Sequence, residues 1–201
     1  MRSTLPLAPN GIFRSIQGEG HLRGGMQVFI RLAGCSVGCV GCDTDYSVNE
    51  RLSAGEIVER VLELRRPGEP WVWITGGEPS DHDLTGLILL LHGAGLSVAV
   101  ATSGRKAITA PVEWLSVSYH GGYTLAQDFG HELKLVDGLG PWSLGDCARQ
   151  TARSQFWFRY VQPFSSDGQE SRESLQRCLH WIDEHPGWSL SRQDHHMLGL
   201  A

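Results

Sequence analysis

The hydrophobic period of the chain switches repeatedly between two and about three and a half from residue 25 onward, and this most limits its possible folds. Gly25-Met26-Gln27-Val28-Phe29-Ile30-Arg31-Leu32 alternates like a strand and ends at Gly34. Ser53-Ala54-Gly55-Glu56 has the form of a capping box. Ile57, Val58, Val61, Leu62 and Leu64 then recur at helical spacing until Pro67-Gly68 stops them. Residues 71–75 (Trp-Val-Trp-Ile-Thr) read as a short buried strand, 84–94 as a helix closed by Gly95, and 97–102 as a third strand. Strand, helix, strand, helix, strand implies parallel pairing, because parallel neighbours need a connection long enough to carry the chain back. Residues 114–118, 132–136 and 156–161 continue the strand pattern, and 171–185 reads as a helix stopped by Pro186. The gaps between strands three, four and five are too short and Gly-rich for full helices. Eight βα units need about 250 residues, and this chain has 201. The expected fold is therefore α/β: an abbreviated, open TIM-like barrel of about six parallel strands with fewer helices than strands. It forms a single domain over residues 1–201, with ligands at the carboxyl ends of the strands.

A formal charge of -5, with 17 Lys and Arg scattered along the chain, leaves no basic patch for nucleic acid or anionic lipid. The longest strongly apolar run, residues 87–91, is far short of a membrane span, and the first residues lack the apolar stretch of a signal peptide. The expected setting is the cytoplasm. Of five cysteines, Cys35, Cys39 and Cys42 crowd into eight residues, a spacing that suits metal binding in a reducing compartment better than disulfides. Cys147 and Cys178 stand apart and read as small buried hydrophobes.

The three crowded cysteines follow the first strand directly. A closed zinc site wants four ligands, and no second knuckle is present. A [4Fe-4S] cube on three thiolates keeps one iron open for another molecule, whereas electron-transfer clusters take four cysteines. Unligated or zinc-bound cysteines remain the alternative. Thr75-Gly76-Gly77-Glu78-Pro79 ends the second strand. Its two glycines allow close backbone approach to a ligand, and the Glu78 carboxylate suits an ammonium group. Seen alone, Gly-Gly-x-Pro is a common turn.

Together, Cys-x3-Cys-x2-Cys after strand one and Gly-Gly-Glu-Pro after strand two resemble the radical S-adenosylmethionine superfamily. Three stretches narrow the resemblance to the 7-carboxy-7-deazaguanine synthase family: Ile12-Phe13-Arg14-Ser15-Ile16-Gln17-Gly18-Glu19-Gly20, Arg31-Leu32-Ala33-Gly34-Cys35 and Cys42-Asp43-Thr44. Glu132-Leu133-Lys134, Val161-Gln162-Pro163 and Leu190-Ser191-x-Gln193-x-His195 extend it almost to the end. The resemblance implies a homodimer that converts 6-carboxy-5,6,7,8-tetrahydropterin to 7-carboxy-7-deazaguanine with loss of ammonia. It further implies a cluster on Cys35, Cys39 and Cys42, adenosylmethionine, Mg²⁺ on Thr44, and an electron donor such as flavodoxin or ferredoxin. Carried over residue by residue, the cofactor contacts are Gly41, Cys42, Asp43, Gly76, Gly77, Glu78, Ser118 and Gln162. The substrate contacts are Ile16, Gln17, Gly18, Glu19, Arg31, Thr75, His195 and Ala201. A pterin carrying a carboxylate needs fixed amides and a guanidinium, roles that residues 16–18 and Arg31 can fill. Without the motif, Arg31 would be read as a solvated residue of an edge strand.

The chain departs from the family pattern in three places. Gly41 stands where an aromatic residue is common before the third cysteine, Ala101-Thr102-Ser103-Gly104 replaces Glu-Thr-Asn-Gly, and Val117-Ser118-Tyr119-His120 replaces Val-Ser-Pro-Lys. Ser118 carries over, whereas Tyr119 and His120 do not stand in for the proline and lysine. Two other functions share some of these features: a radical activase acting on a partner protein, and a zinc-binding interaction module. The activase does not account for Gln17-Gly18-Glu19-Gly20 or Cys42-Asp43-Thr44, and the zinc module predicts a colourless protein with one zinc.

Overall fold

The computed structural model describes residues 4–42, 44–166 and 168–200. In chain order the elements are β1 (Thr4–Ile16), β2 (Met26–Leu32), β3 (Glu50–Ser53), α1 (Ala54–Leu64), β4 (Trp71–Gly76), α2 (Thr85–Gly93), β5 (Ser97–Thr102), β6 (Trp114–Tyr119) and β7 (Phe129–Asp137). They continue with α3 (Leu144–Gln150), β8 (Gln155–Pro163), the small hairpin β9 (Ser165–Ser166) and β10 (Gln169–Glu170), α4 (Arg172–Glu184), β11 (Ser189–Leu190) and α5 (Asp194–Met197). One nine-stranded sheet runs β11-β8-β7-β6-β5-β4-β2-β1-β3. Every pairing from β2 to β11 is parallel. The terminal strands do not pair with each other, so the barrel stays open. No described helix is long and apolar enough to cross a membrane.

The six strands read from the sequence are β2 and β4 to β8. Of the unexpected additions to the sheet, β1 and β3 are antiparallel, with β1 between β2 and β3, and the short β11 pairs in parallel with β8. Pro6 and Pro9 hide β1 from a pattern reading, since proline cannot donate to a ladder and is tolerated at irregular positions. The register with β2 shifts between Leu7 and Ile12, and Asn10 takes a φ of 53° there. Leu5 and Leu7 nevertheless point into the core. Because β1 covers β2, Arg31 lies on an internal strand, not on an edge.

Period-two alternation sends the side chains to two different layers. Outward, Val28, Ile30, Leu32, Val72, Ile74, Val98, Val100, Leu115, Val117, Leu133, Leu135 and Val161 form the main core. Ile57 and Val61 of α1, and Leu87, Ile88 and Leu91 of α2, complete it, each buried side chain contributing about 1.5–3 kcal/mol. The Ser53–Glu56 capping box starts α1 as its sequence implies, and Cys147 and Cys178 are buried on α3 and α4. Inward, Phe29, Trp73, Ala99 and Trp114 form a second, aromatic cluster with Phe13 and Phe158 packed on it. Along the same strands, toward their carboxyl ends, the inward residues turn polar: Arg31, Thr75, Ser118, Glu132 and Lys134. The open barrel thus has an apolar floor and a polar rim.

Candidate active site

Two cavities meet at this rim. The larger, about 420 Å³, is lined by Phe13, Phe29 and Trp73 from the aromatic layer. Its polar walls are Ile16–Glu19 at the end of β1, Arg31, Thr44, Asp45, Thr75, Glu132, Lys134, and Gln193 with His195 near the carboxyl terminus. The smaller, about 190 Å³, is lined by Cys35, Cys39, Cys42, the Thr75–Glu78 strand end, Thr102, Ser103, Ser118 and His120. Glu19, Thr75, Ala101 and Lys134 line both and form the wall between them.

The strand-end glycines place the cysteine loop. A Cβ on Gly76 would lie 2.1 Å from the Leu32 carbonyl oxygen, and one on Gly77 would lie 1.8 Å from that of Gly34. Their absence lets the end of β4 press on the start of the loop. Gly77 N then donates to the Leu32 carbonyl and Glu78 N to that of Gly34, each at 2.9 Å. Glu78 itself is 1% exposed. Its carboxylate accepts from Thr102 Oγ1 (2.5 Å), Ser103 N (2.8 Å) and Ser80 N (2.9 Å). The residue expected to meet a ligand ammonium therefore ties β5 to β4, and its carboxylate is largely occupied by protein donors.

The donor set of the loop fits a cluster. None of the three cysteines is joined in a disulfide, and Cys42 is exposed. Burial first, then the neighbouring Cys42 and Cys35, push the Cys39 thiol up to about 11, a crowding of incipient thiolates that bound iron relieves. Among the described residues no three His, Cys, Asp or Glu groups close on a point where one ion would sit, whereas a cube spreads its thiolates over separate irons. Gly41 carries no side chain, and the Phe164 ring fills the space instead, 3.2 Å from where a Cβ would stand. Ser36, beside the first cysteine, is clamped by Asp81 through its N (2.8 Å) and Oγ (2.9 Å). His120 faces the smaller cavity as a neutral ring, since burial and then Lys134 hold it down at about 4. Tyr119 turns outward into the main core.

The wall is held by an ion pair in which Lys134 is buried and Glu19 partly buried. Lys134 Nζ donates to Glu19 Oε2, and Glu19 Oε1 accepts from Gln193 Nε2 (3.0 Å) and Gln162 Nε2 (3.3 Å). Burial alone would raise the Glu19 carboxyl. The Lys134 ammonium, His195 and the Gln193 amide outweigh it and hold the group at about 2. Gln162 is buried and takes a hydrogen bond from Ser191 Oγ at 2.7 Å. It thus supports the wall from behind, outside the residues lining either cavity. Of the expected substrate contacts, Ile16, Gln17, Gly18, Glu19, Arg31, Thr75 and His195 all line the larger cavity. The Arg31 guanidinium stacks on Phe13, 4.7 Å from the ring centroid. Thr44 lines the larger cavity and the solvent-facing hollow beside Cys42, with Asp45 next to it as a second hard oxygen donor. Asp43 and Ala201 lie outside the described residues. The sequence alone assigns no role to Phe13, Trp73, Asp45, Glu132, Lys134 or Gln193, although Phe13, Glu132, Lys134 and Gln193 stand within the matched stretches.

Fold and site define an open α/β barrel with a three-cysteine loop after its first parallel strand and a polar cavity beside that loop. No family model matches the chain. It is 34% identical to the 7-carboxy-7-deazaguanine synthase of Bradyrhizobium diazoefficiens, covering 94% of this chain and 96% of the relative. It is 32% identical to that of Nitratidesulfovibrio vulgaris with the same coverage. The crystal structure of QueE from Escherichia coli superposes with a TM-score of 0.77 at 27% identity, covering 94% of each chain. The chain belongs to the 7-carboxy-7-deazaguanine synthase family.

Proposed function

We propose that this protein converts 6-carboxy-5,6,7,8-tetrahydropterin to 7-carboxy-7-deazaguanine with release of ammonia, on the route to queuosine and related deazaguanines. The observation that carries this reading is the shared wall. A cavity lined by three cysteine thiols opens beside one lined by a guanidinium, amides and aromatic rings, and four residues belong to both. Cys35, Cys39 and Cys42 would hold a [4Fe-4S] cluster, with the Gly76–Gly77 strand end, Ser118 and His120 around bound adenosylmethionine. Together these groups supply one-electron cleavage chemistry that abstracts hydrogen from substrate. Thr44, with Asp45 beside it, offers hard oxygens to Mg²⁺, which keeps water or substrate oxygens in its remaining positions.

The chain's own residues do the positioning. Arg31, fixed on Phe13, clamps the substrate carboxylate. Phe29 and Trp73 offer apolar faces to the ring system, and Gln17, Gly18 and His195 close the cavity over it. The Glu19–Lys134 pair keeps the dividing wall rigid, so the reacting carbon lies against the cofactor side and not in bulk water. The proposal includes a cytoplasmic homodimer that takes its electrons from a flavodoxin or ferredoxin. Anaerobically reconstituted protein should be brown and should form 7-carboxy-7-deazaguanine and ammonia in equal amounts from the carboxytetrahydropterin. Both colour and product should vanish when Cys35, Cys39 and Cys42 are all alanine. A colourless zinc protein, or a cluster-loaded one that leaves the pterin intact while cleaving adenosylmethionine, would refute the assignment.

A further inference from the structure

Glu132 is a buried carboxylate that the fold leaves half used. The residue is 1% exposed, points inward from β7 and lines the larger cavity. Its Oε2 accepts one hydrogen bond, from His21 N at 2.8 Å. Its Oε1 takes none from the described residues, and no Lys, Arg or His among them forms an ion pair with it. The loop above is shaped around this group. Gly20 packs so closely that a Cβ would lie 2.4 Å from both carboxylate oxygens, and the adjoining His21 amide fixes the group's orientation. A carboxylate withdrawn from water this far is costly unless donors meet it. Here the described residues supply one donor, and the open side is the cavity.

The opposite wall carries the opposite charge. Arg31 of β2 is in register with Thr75 of β4, and Glu132 of β7 with Ser116 of β6, which is itself in register with Ala101 of β5. Arg31 and Glu132 therefore face one cavity from strands four steps apart, roughly 19 Å along the curved sheet. A guanidinium at one end, a carboxylate at the other and aromatic rings beneath describe a flat ligand with an anionic group at one end and hydrogen-bond donors at the far end. A 6-carboxypterin has that layout: the carboxylate on one ring edge, and the ring N–H with the 2-amino group on the opposite edge. Two adjacent N–H donors match a carboxylate in a paired, fork-like contact.

We infer that Glu132 is the residue that reads the 2-amino and ring N–H edge of the substrate, an assignment that rests on the pterin reading of the same cavity. Arg31 then holds the carboxylate, Glu132 sets the direction in which the ring lies, and the ring carbon bearing the carboxylate falls on the side of the shared wall. A ligand with a carbonyl in place of the 2-amino group would put an acceptor against a buried anion.

The test compares two stable, aromatic probes, 6-carboxypterin and 6-carboxylumazine, in which a carbonyl replaces the 2-amino group. Equilibrium binding of each is measured to reconstituted, adenosylmethionine-loaded protein. Wild-type protein should prefer 6-carboxypterin by about 100-fold, because a site built for a donor rejects the analogue lacking it. Glu132→Gln, which keeps the shape, should bring the preference close to unity without changing adenosylmethionine affinity or the cluster spectrum. The wild-type comparison does not depend on how the variant folds. Equal affinity of wild-type protein for the two probes, or an undiminished preference in folded Glu132→Gln, would overturn the role of Glu132 while leaving the synthase reading intact. Failure to bind either probe, together with no turnover of the carboxytetrahydropterin, would overturn both.

Discussion

The cysteine loop and the cavity next to it differ in how they are built. The three thiols come from one eight-residue stretch, Cys42 is exposed, and Asp81 holds only the loop's first residues, through Ser36. The larger cavity draws its polar groups from β1, β2, β7 and the segment before α5, and joins them through a buried network of Glu19, Lys134, Gln162, Ser191 and Gln193. On the proposed function the loop takes its order from a bound cluster, whereas the cavity walls are joined by hydrogen bonds within the chain itself. The first should therefore tolerate mutation in folding and fail in chemistry, and the second should show effects in both.

The largest effect on stability should follow from breaking the wall. Lys134→Met leaves the partly buried Glu19 charge without its cation and should destabilise the protein by about 1–3 kcal/mol. Glu19→Gln in the same chain should recover most of that loss, and chemical denaturation of the single and double variants measures both. The pair also has a pH signature. Glu19 titrates at about 2 when folded, below its unfolded value near 4.5, so its contribution is complete above about pH 4.5 and is lost as pH falls toward 2. Wild-type stability should decline through that window more steeply than that of the double variant. A single variant as stable as wild type would show that the wall is not preorganised.

A smaller effect is expected where the two regions touch. Thr44→Val keeps the side-chain shape and removes the hydroxyl. It should leave stability and cluster content unchanged and reduce the stimulation of product formation by Mg²⁺, with adenosylmethionine cleavage in the absence of substrate unaffected. Product formation indifferent to chelator in wild-type protein would remove Thr44 from the metal's surroundings.

The same contrast explains what the sequence could convey. The six longer parallel strands were legible because alternation and helical spacing are local, and Ser53–Glu56 marked the start of α1 for the same reason; the two-residue β11 is too short to show a period. β1 was not, since Pro6, Pro9 and the irregularity at Asn10 interrupt its period while the partner strands that stabilise it lie elsewhere in the chain. The cysteines and Gly76–Gly77 announced themselves by spacing. Glu132 and Lys134 appeared only as inward polar residues of a strand, and nothing near them in sequence reveals that Gly20, Glu19 and Gln193 converge on them. Glu78 shows the converse: its motif is plain, yet only the fold reveals that Thr102, Ser103 and Ser80 occupy its carboxylate.

The central claim is that the two cavities act as one site across the wall of Glu19, Thr75, Ala101 and Lys134. The most direct measurement is the fate of deuterium placed at C6 of the carboxytetrahydropterin during turnover under anaerobic conditions. The account predicts that the label appears at the 5′ position of adenosylmethionine or of the 5′-deoxyadenosine recovered from it, and that Arg31→Ala uncouples this transfer while adenosylmethionine is still cleaved. Product formed with the deuterium never reaching the adenosyl group would contradict the account.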